Sequence, residues 1–212
     1  MSLRTPSPHP KRRRSNPHLK QSSSSNPVAV AITGGIGAGK SEALRAFARH
    51  GAATISSDAI VHELLRDDPE VQAALRKRWG DGIVGAAGAD RAAIARIVFE
   101  DLRELSWLEG LLHPKVVEKY VAWREQQTAP VVVTEVPLLY ETGGEKRFDA
   151  VVAITAPPQI RAKRARVPVD ERERRLVPDE EKVERADYVY VNDGTLEELD
   201  AFVGDVMAQL SQ

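Results

Sequence analysis

The chain has no cysteine among its 212 residues, so it can form neither a disulfide bond nor a cysteine-ligated metal site. It also has no apolar run approaching the ~20 residues that a membrane-spanning helix needs. A chain without these features fits a reducing cytoplasm, and we expect no membrane partner. The rest of the composition, 42% hydrophobic and 29% charged, is typical of a soluble globular domain.

Acidic residues are missing from residues 1–27, which hold six basic residues, five prolines and seven serines. Residues 28–212 carry 24 basic and 31 acidic residues, although the formal net charge of the whole chain is only −1. This composition predicts a disordered basic tail, and the lack of an apolar segment argues against a signal peptide. The basic run 11–14 is either a nucleic-acid or targeting patch or a dispensable solvated extension. We expect no nucleic-acid partner.

Residues 34–41 fit the phosphate-binding P-loop pattern G-x-x-x-x-G-K-[ST]. A short apolar run of strand length precedes them, and an amphipathic helical pattern follows as far as Gly51. In such a strand–loop–helix unit, backbone N–H groups and the helix N-terminus bind phosphate. The residues predicted to bind ATP here are Gly34, Gly35, Ile36, Gly37, Ala38, Gly39, Lys40, Ser41 and Glu42.

Three side chains around this loop have predicted roles. Lys40 is expected to reach the β- and γ-phosphates of ATP, and the Ser41 hydroxyl is expected to hold Mg²⁺. Glu135 lies at the carboxyl end of a predicted strand over residues 130–135, where P-loop enzymes place an acidic group near the metal. The alternative is that Glu135 is an exposed carboxylate at a strand end.

Asp58 follows the second predicted strand, residues 52–55. Because ligands of open parallel sheets sit beyond the carboxyl ends of the strands, Asp58 should face the same crevice as the P-loop. There it could accept a proton from the hydroxyl being phosphorylated. Alternatively, Asp58 is the N-cap of a helix over residues 59–66, a position that favours aspartate.

Strand-like and helical segments alternate along residues 28–212, which predicts βαβ units. The expected fold class is α/β, with a five-stranded parallel sheet in one domain. The strands are predicted at residues 28–33, 52–55, 130–135, 149–155 and 188–191. A helical insertion at about 59–127 would form an acceptor-binding lobe, with a loop at 81–89 and a helix break at 112–114.

Residues 161–175 hold six arginines and one lysine. Arg161 and Arg164 share a helical face at i,i+3 spacing. A basic segment that closes over a triphosphate and supplies guanidinium groups has this character, so we predict a lid at about 161–178. The alternative is a solvated helix surface, since three acidic residues are interleaved.

Taken together, these segments resemble the dephospho-coenzyme A kinase family. The resemblance covers residues 28–212 and rests on the P-loop, Asp58, and four later motifs in order. Those motifs are Asp90-Arg91 with Val98-Phe99, Leu112-His113-Pro114, Pro137-Leu138-Leu139-Tyr140-Glu141, and Ala186-Asp187 through Asn192-Asp193-Gly194.

The resemblance implies a P-loop kinase core. It also implies transfer of the γ-phosphoryl group of ATP, with Mg²⁺, to the ribose 3′-hydroxyl of dephospho-CoA. It implies that Asp58 is the base or orients the hydroxyl, and that Arg91 and His113 line the acceptor side. Asn192 and Gly194 would border the adenine of ATP. Lys40 and Arg164 would act on the transferred group together with Asp58.

The lid departs from the family pattern, because Leu176 and Val177 stand where the family has a glutamine, and the segment is shortened. Two alternatives therefore remain. One is a kinase of another nucleotide or nucleoside, and the other is an ATP-binding protein with a degenerate lid.

Overall fold

The computed structural model describes residues 27–164 and 176–211. The chain forms two compact units, which we call the sheet unit (residues before 56 and after 126) and the helical unit (residues 56–126). The predicted tail lies outside the described residues except for Pro27. Arg166 and most of the predicted lid also lie outside them.

A five-stranded parallel sheet organises the sheet unit, with strand order β2-β5-β1-β6-β7. Its strands are β1 (Val28–Thr33), β2 (Ala53–Ser56), β5 (Val131–Glu135), β6 (Ala150–Thr155) and β7 (Tyr188–Val191). All five predicted strands are confirmed within a residue or two. The P-loop leaves the central strand β1, which pairs in parallel with β5 on one side and β6 on the other.

Both faces of the sheet are covered, as the near-continuous apolar strands predict. Because successive side chains point to opposite faces, Val30 and Ile32 pack into one core cluster and Ala31 into the other. The helices of this unit are α1 (Lys40–Arg49), α6 (Pro158–Arg164), α7 (Asp179–Arg185) and α8 (Leu196–Leu210). Helix α1 packs against α8 beside the first cluster.

Helix α8 begins with the predicted capping box. The Thr195 hydroxyl accepts a hydrogen bond from the Glu198 backbone N–H, and the Glu198 carboxylate accepts one from the Thr195 N–H. A Cβ built on Gly194 would overlap that carboxylate. A glycine at 194 therefore leaves room for this capping contact.

The helical unit contains four helices and a small hairpin within residues 56–126. The helices are α2 (Ser57–Asp67), α3 (Pro69–Trp79), α4 (Arg91–Glu100) and α5 (Leu102–Glu125). Helix α5 packs against α2 and α4. Near its start, Glu104 accepts hydrogen bonds from Arg78 and from the Trp79 indole, which ties α3 to α5.

Two expectations for the helical unit are wrong. Residues 81–89 are not only a loop: a 3₁₀ turn, Asp81–Ile83, leads into a hairpin of β3 (Val84–Gly85) and β4 (Gly88–Ala89). The glycines indicated a loop because they have low strand propensity, but a hairpin this short needs only a tight turn.

The helix also does not break at residues 112–114, because α5 continues through Pro114. Proline removes one helix hydrogen bond and crowds the carbonyl four residues earlier. That earlier residue is Gly110, and a Cβ built on it would contact nothing within 4 Å. Packing of Leu108 and Leu112 before the proline, and of Tyr120 after it, holds the two halves in one helix.

Candidate active site

The P-loop has the backbone that its glycines were expected to provide. Gly34, Gly37 and Gly39 all have positive φ, at 144°, 73° and 102°. Residues that carry a side chain rarely adopt such backbone angles, so only glycine fits there without strain. The loop ends at the N-terminus of α1, where the first-turn N–H groups favour an anion.

Lys40 folds back over the loop that it follows. Its ammonium group donates a hydrogen bond of 3.0 Å to the carbonyl oxygen of Gly35. This hydrogen bond positions the ammonium group where phosphate is expected to bind. Its predicted role in binding the β- and γ-phosphates remains a prediction.

Ser41 and Glu135 meet although they are 94 positions apart in the sequence. The Ser41 hydroxyl donates a hydrogen bond of 3.3 Å to Oε1 of Glu135. Glu135 is only 6% exposed, so the alternative of an exposed strand-end carboxylate is wrong. A hydroxyl and a carboxylate oxygen beside a P-loop are the donors that Mg²⁺ prefers. These two residues fit the predicted metal site.

Arg161 lies against the P-loop from helix α6. Its side chain is 12% exposed, and its Nη1 is 3.8 Å from the carboxylate of Asp179. A Cβ built on Gly35 would overlap this guanidinium group and crowd the Asp179 oxygens. This side chain is not solvated helix surface. It is a cation held next to a predicted phosphate site.

Asp179 is a member of this group that the sequence analysis missed. Its carboxylate accepts a hydrogen bond of 3.2 Å from the Thr155 hydroxyl at the end of β6. Beside it lies a cavity of about 340 Å³ that Gly35 and Arg161 also line. The available signal was the acidic run that starts α7 after Pro178, because acidic residues favour a helix N-terminus.

Arg164 is the last described residue of helix α6 and is exposed. Its Nη1 donates a hydrogen bond of 3.2 Å to the backbone oxygen of Asn192. The Asn192 amide in turn donates one of 2.8 Å to the carbonyl oxygen of Ala38 in the P-loop. The end of β7 is thus connected both to α6 and to the loop. Gly194, predicted to border adenine, is exposed next to this connection.

Glu42 was predicted to bind ATP together with the rest of the motif. Its backbone N–H donates a hydrogen bond of 3.1 Å to the Gly39 carbonyl within the first turn of α1. Its carboxylate forms ion pairs with Arg45 and Arg49 along the same helix. Both its backbone N–H and its carboxylate thus already have partners within α1, and its predicted contact with ATP remains a prediction.

A buried ion pair lies near the start of the described residues 176–211. Lys182 is 1% exposed, and its Nζ lies 3.4 Å from Oε1 of Glu141. The same carboxylate accepts a hydrogen bond of 2.8 Å from the Val177 backbone N–H. Next to it, burial raises the pKa of Tyr140 to about 12, against the opposing effect of the Arg185 guanidinium over its ring. Because a buried charge is costly without a partner, this cluster should be rigid.

Three predicted residues belong to the helical unit, and their side chains are all exposed. Asp58 lies in the first turn of α2, whose N-cap is Ser56, so the N-cap alternative for Asp58 is wrong. Arg91 opens α4 after Asp90, which caps that helix by accepting from two backbone N–H groups. His113 lies within α5, directly before Pro114. Their roles on the acceptor side remain predictions.

Comparison with known proteins identifies the family. The model of the dephospho-CoA kinase family matches residues 28–198. The chain belongs to the dephospho-CoA kinase family. It is 36% identical to the dephospho-CoA kinase of Protochlamydia amoebophila over 193 residues, covering 85% of this chain and 95% of that protein. It is 34% identical to that of Thermus thermophilus, covering 88% and 93% of the two chains.

Solved structures agree with this fold. The crystal structure of TT1252 from Thermus thermophilus matches with a TM-score of 0.75 and 33% identity, over 89% of this chain and all of that one. Dephospho-CoA kinase from Campylobacter jejuni matches with a TM-score of 0.65, over 86% and 96% of the two chains; at 22% identity it supports the fold alone. Family membership makes this chain an ATP-dependent kinase and favours the expected activity over the two alternatives.

Proposed function

We propose that this kinase transfers the γ-phosphoryl group of ATP to the ribose 3′-hydroxyl of dephospho-CoA, the final step of coenzyme A synthesis. The observation that carries the proposal is the family match over residues 28–198 together with the P-loop. Within the described residues no helix is long and apolar enough to cross a bilayer. We place the activity in the cytoplasm, a reducing compartment in which proteins do not depend on disulfide bonds.

Phosphoryl transfer passes through a loose transition state, so the protein acts mainly by positioning groups and stabilising charge. Backbone N–H groups of the P-loop and the ammonium group of Lys40 would bind the β- and γ-phosphates. Arg161, already held beside Gly35, would neutralise negative charge on the transferred group. Arg164 would act from the same helix.

Ser41 and Glu135 would hold Mg²⁺, and their 3.3 Å contact supports this assignment. When bound, the ion would neutralise charge on the phosphate oxygens. Ser41→Ala or Glu135→Gln should raise the Mg²⁺ concentration that gives half-maximal activity. Ser211→Ala, which removes a hydroxyl at the end of α8, is the matched control and should leave that concentration unchanged. An unchanged Mg²⁺ requirement in both site variants would refute the assignment.

On the acceptor side, Asp58 would accept the proton of the 3′-hydroxyl or orient that hydroxyl for attack. Arg91 and His113 would bind dephospho-CoA. The exposed side chains of all three residues can meet a substrate without first breaking an ion pair among the described contacts. This supports a binding role, since groups that recognise ligands must be accessible.

A coupled assay with ATP, Mg²⁺ and dephospho-CoA tests the proposal, with ADP and coenzyme A as the expected products. Nucleosides and nucleoside monophosphates serve as competing acceptors. Turnover with those acceptors and none with dephospho-CoA would identify a different kinase. ATP binding without any product would identify a binding protein with a degenerate lid.

A further inference from the structure

We propose that Asn192 is a positioning residue for the P-loop, acting on the triphosphate through Ala38 and not on the nucleotide base. The proposal rests on the proposed function, because it assumes that the P-loop binds the phosphates of ATP. It assigns a task to a side chain that the motif alone would place beside adenine.

The Asn192 side chain is buried, with 6% of the residue exposed. Its Nδ2 donates a hydrogen bond of 2.8 Å to the Ala38 carbonyl across 154 positions of sequence. Its own backbone N–H donates one of 2.7 Å to Thr155 O at the end of β6. Asn192 therefore fixes one point of the P-loop relative to two strand ends.

The bond to Ala38 also sets the direction of a neighbouring donor. The described residues contain no cis peptide, and in a trans peptide the C=O and the following N–H point in opposite directions. With the Ala38 carbonyl turned toward Asn192, the Gly39 N–H points away from it. Backbone N–H groups of such loops are the donors that bind phosphate. Asn192 thus orients one of them.

Gly39 is fitted to this contact. It has φ 102° and ψ 19° in the left-handed region, and a Cβ built on it would overlap the Asn192 amide. Arg164 donates to the backbone oxygen of the same asparagine. A substitution at 192 therefore removes the side-chain donor to the P-loop and keeps the backbone oxygen that Arg164 contacts.

Affinity for two ligands separates the proposal from a contact with the base. Asn192→Ala should weaken binding of ATP and of inorganic triphosphate by the same factor, about tenfold, because a buried carbonyl loses its donor. Asp193→Ala, the exposed neighbour, is the matched control and should bind both as the wild type does. Weaker binding of ATP with unchanged binding of triphosphate would overturn the proposal in favour of a base contact.

Hydrogen exchange in the absence of nucleotide provides a second test that does not depend on kinase activity. Two variants are compared with the wild type, Asn192→Ala and Asn192→Val, of which the valine fills more of the space of the asparagine side chain. In both, the backbone amides of residues 34–41 should exchange faster, while those of α8 should keep their rate. Unchanged exchange in the loop would overturn the proposal. If the wild type fails to bind ATP, the proposed function fails, but the exchange result still decides whether Asn192 holds the loop.

Discussion

The sheet unit and the helical unit present their candidate residues in opposite ways. In the sheet unit, polar groups of the site contact each other across long stretches of sequence, as Ser41 does with Glu135 and Asn192 with Ala38. In the helical unit, Asp58, Arg91 and His113 are exposed on helices. The phosphate side is held in place by the fold, whereas the acceptor side offers accessible groups to a substrate.

This difference predicts how substitutions divide between activity and stability. On the phosphate side, charged groups are close to the loop and their loss should mainly affect turnover. On the acceptor side, an exposed residue can be replaced with little change in stability, so a loss of activity there directly identifies a substrate contact.

The largest effect is expected from Lys40→Ala on the phosphate side. The change removes a charge directed at phosphate and not a core group, so kcat should fall on the order of 10³-fold while the melting temperature stays nearly constant. The coupled assay and a thermal melt measure the two quantities. Arg45→Ala, on the same helix and exposed, is the control. A near wild-type kcat would refute the P-loop assignment.

Asp58→Asn should have the next largest effect, from the helical unit. It keeps the shape of the side chain and removes its charge, so kcat should fall on the order of 10²-fold with ATP affinity retained. Stability should scarcely change, because Asp58 is not the N-cap of α2. Asp67→Asn at the other end of α2 is the control. An unchanged kcat would leave Asp58 as an ordinary first-turn carboxylate.

Arg161→Ala and Arg164→Ala should each have a smaller effect on turnover. Loss of a guanidinium group that acts in the transition state should lower kcat about tenfold or more, roughly 1.4 kcal/mol in the barrier. Lys163→Ala, exposed on the same helix, should turn over normally. Normal turnover in both arginine variants would show that α6 does not contribute to transfer.

The last expected effect concerns stability and not turnover, and it comes from Pro114→Ala in the helical unit. Proline within a helix lowers the free energy of unfolding by about 3 kcal/mol relative to alanine. By restricting the unfolded chain, proline also raises that free energy by about 1 kcal/mol. Since Pro114 is exposed, no packing is lost, and the melting temperature should rise by about 4–8 °C. Thermal melts of both proteins measure this. A fall would mean that the proline ring stabilises α5.

The sequence by itself determined the elements whose causes are local. The P-loop motif, the five strands and the capping box of α8 all follow from apolar periodicity, glycine placement and helix-end chemistry, which act over a few residues. The same local rules produced the errors at residues 81–89 and at Pro114. There, packing within the helical unit outweighed a glycine-rich composition and a helix-breaking residue.

Only the tertiary structure decided which polar groups meet. Three contacts depend on the order of strands in the sheet. They are the contacts of Ser41 with Glu135, of Asn192 with Ala38, and of Asp179 with Arg161. That order brings strand ends and loops together from distant parts of the chain. The composition of a segment does not predict which segment it will contact, because that contact depends on burial of the whole core and not on local propensity.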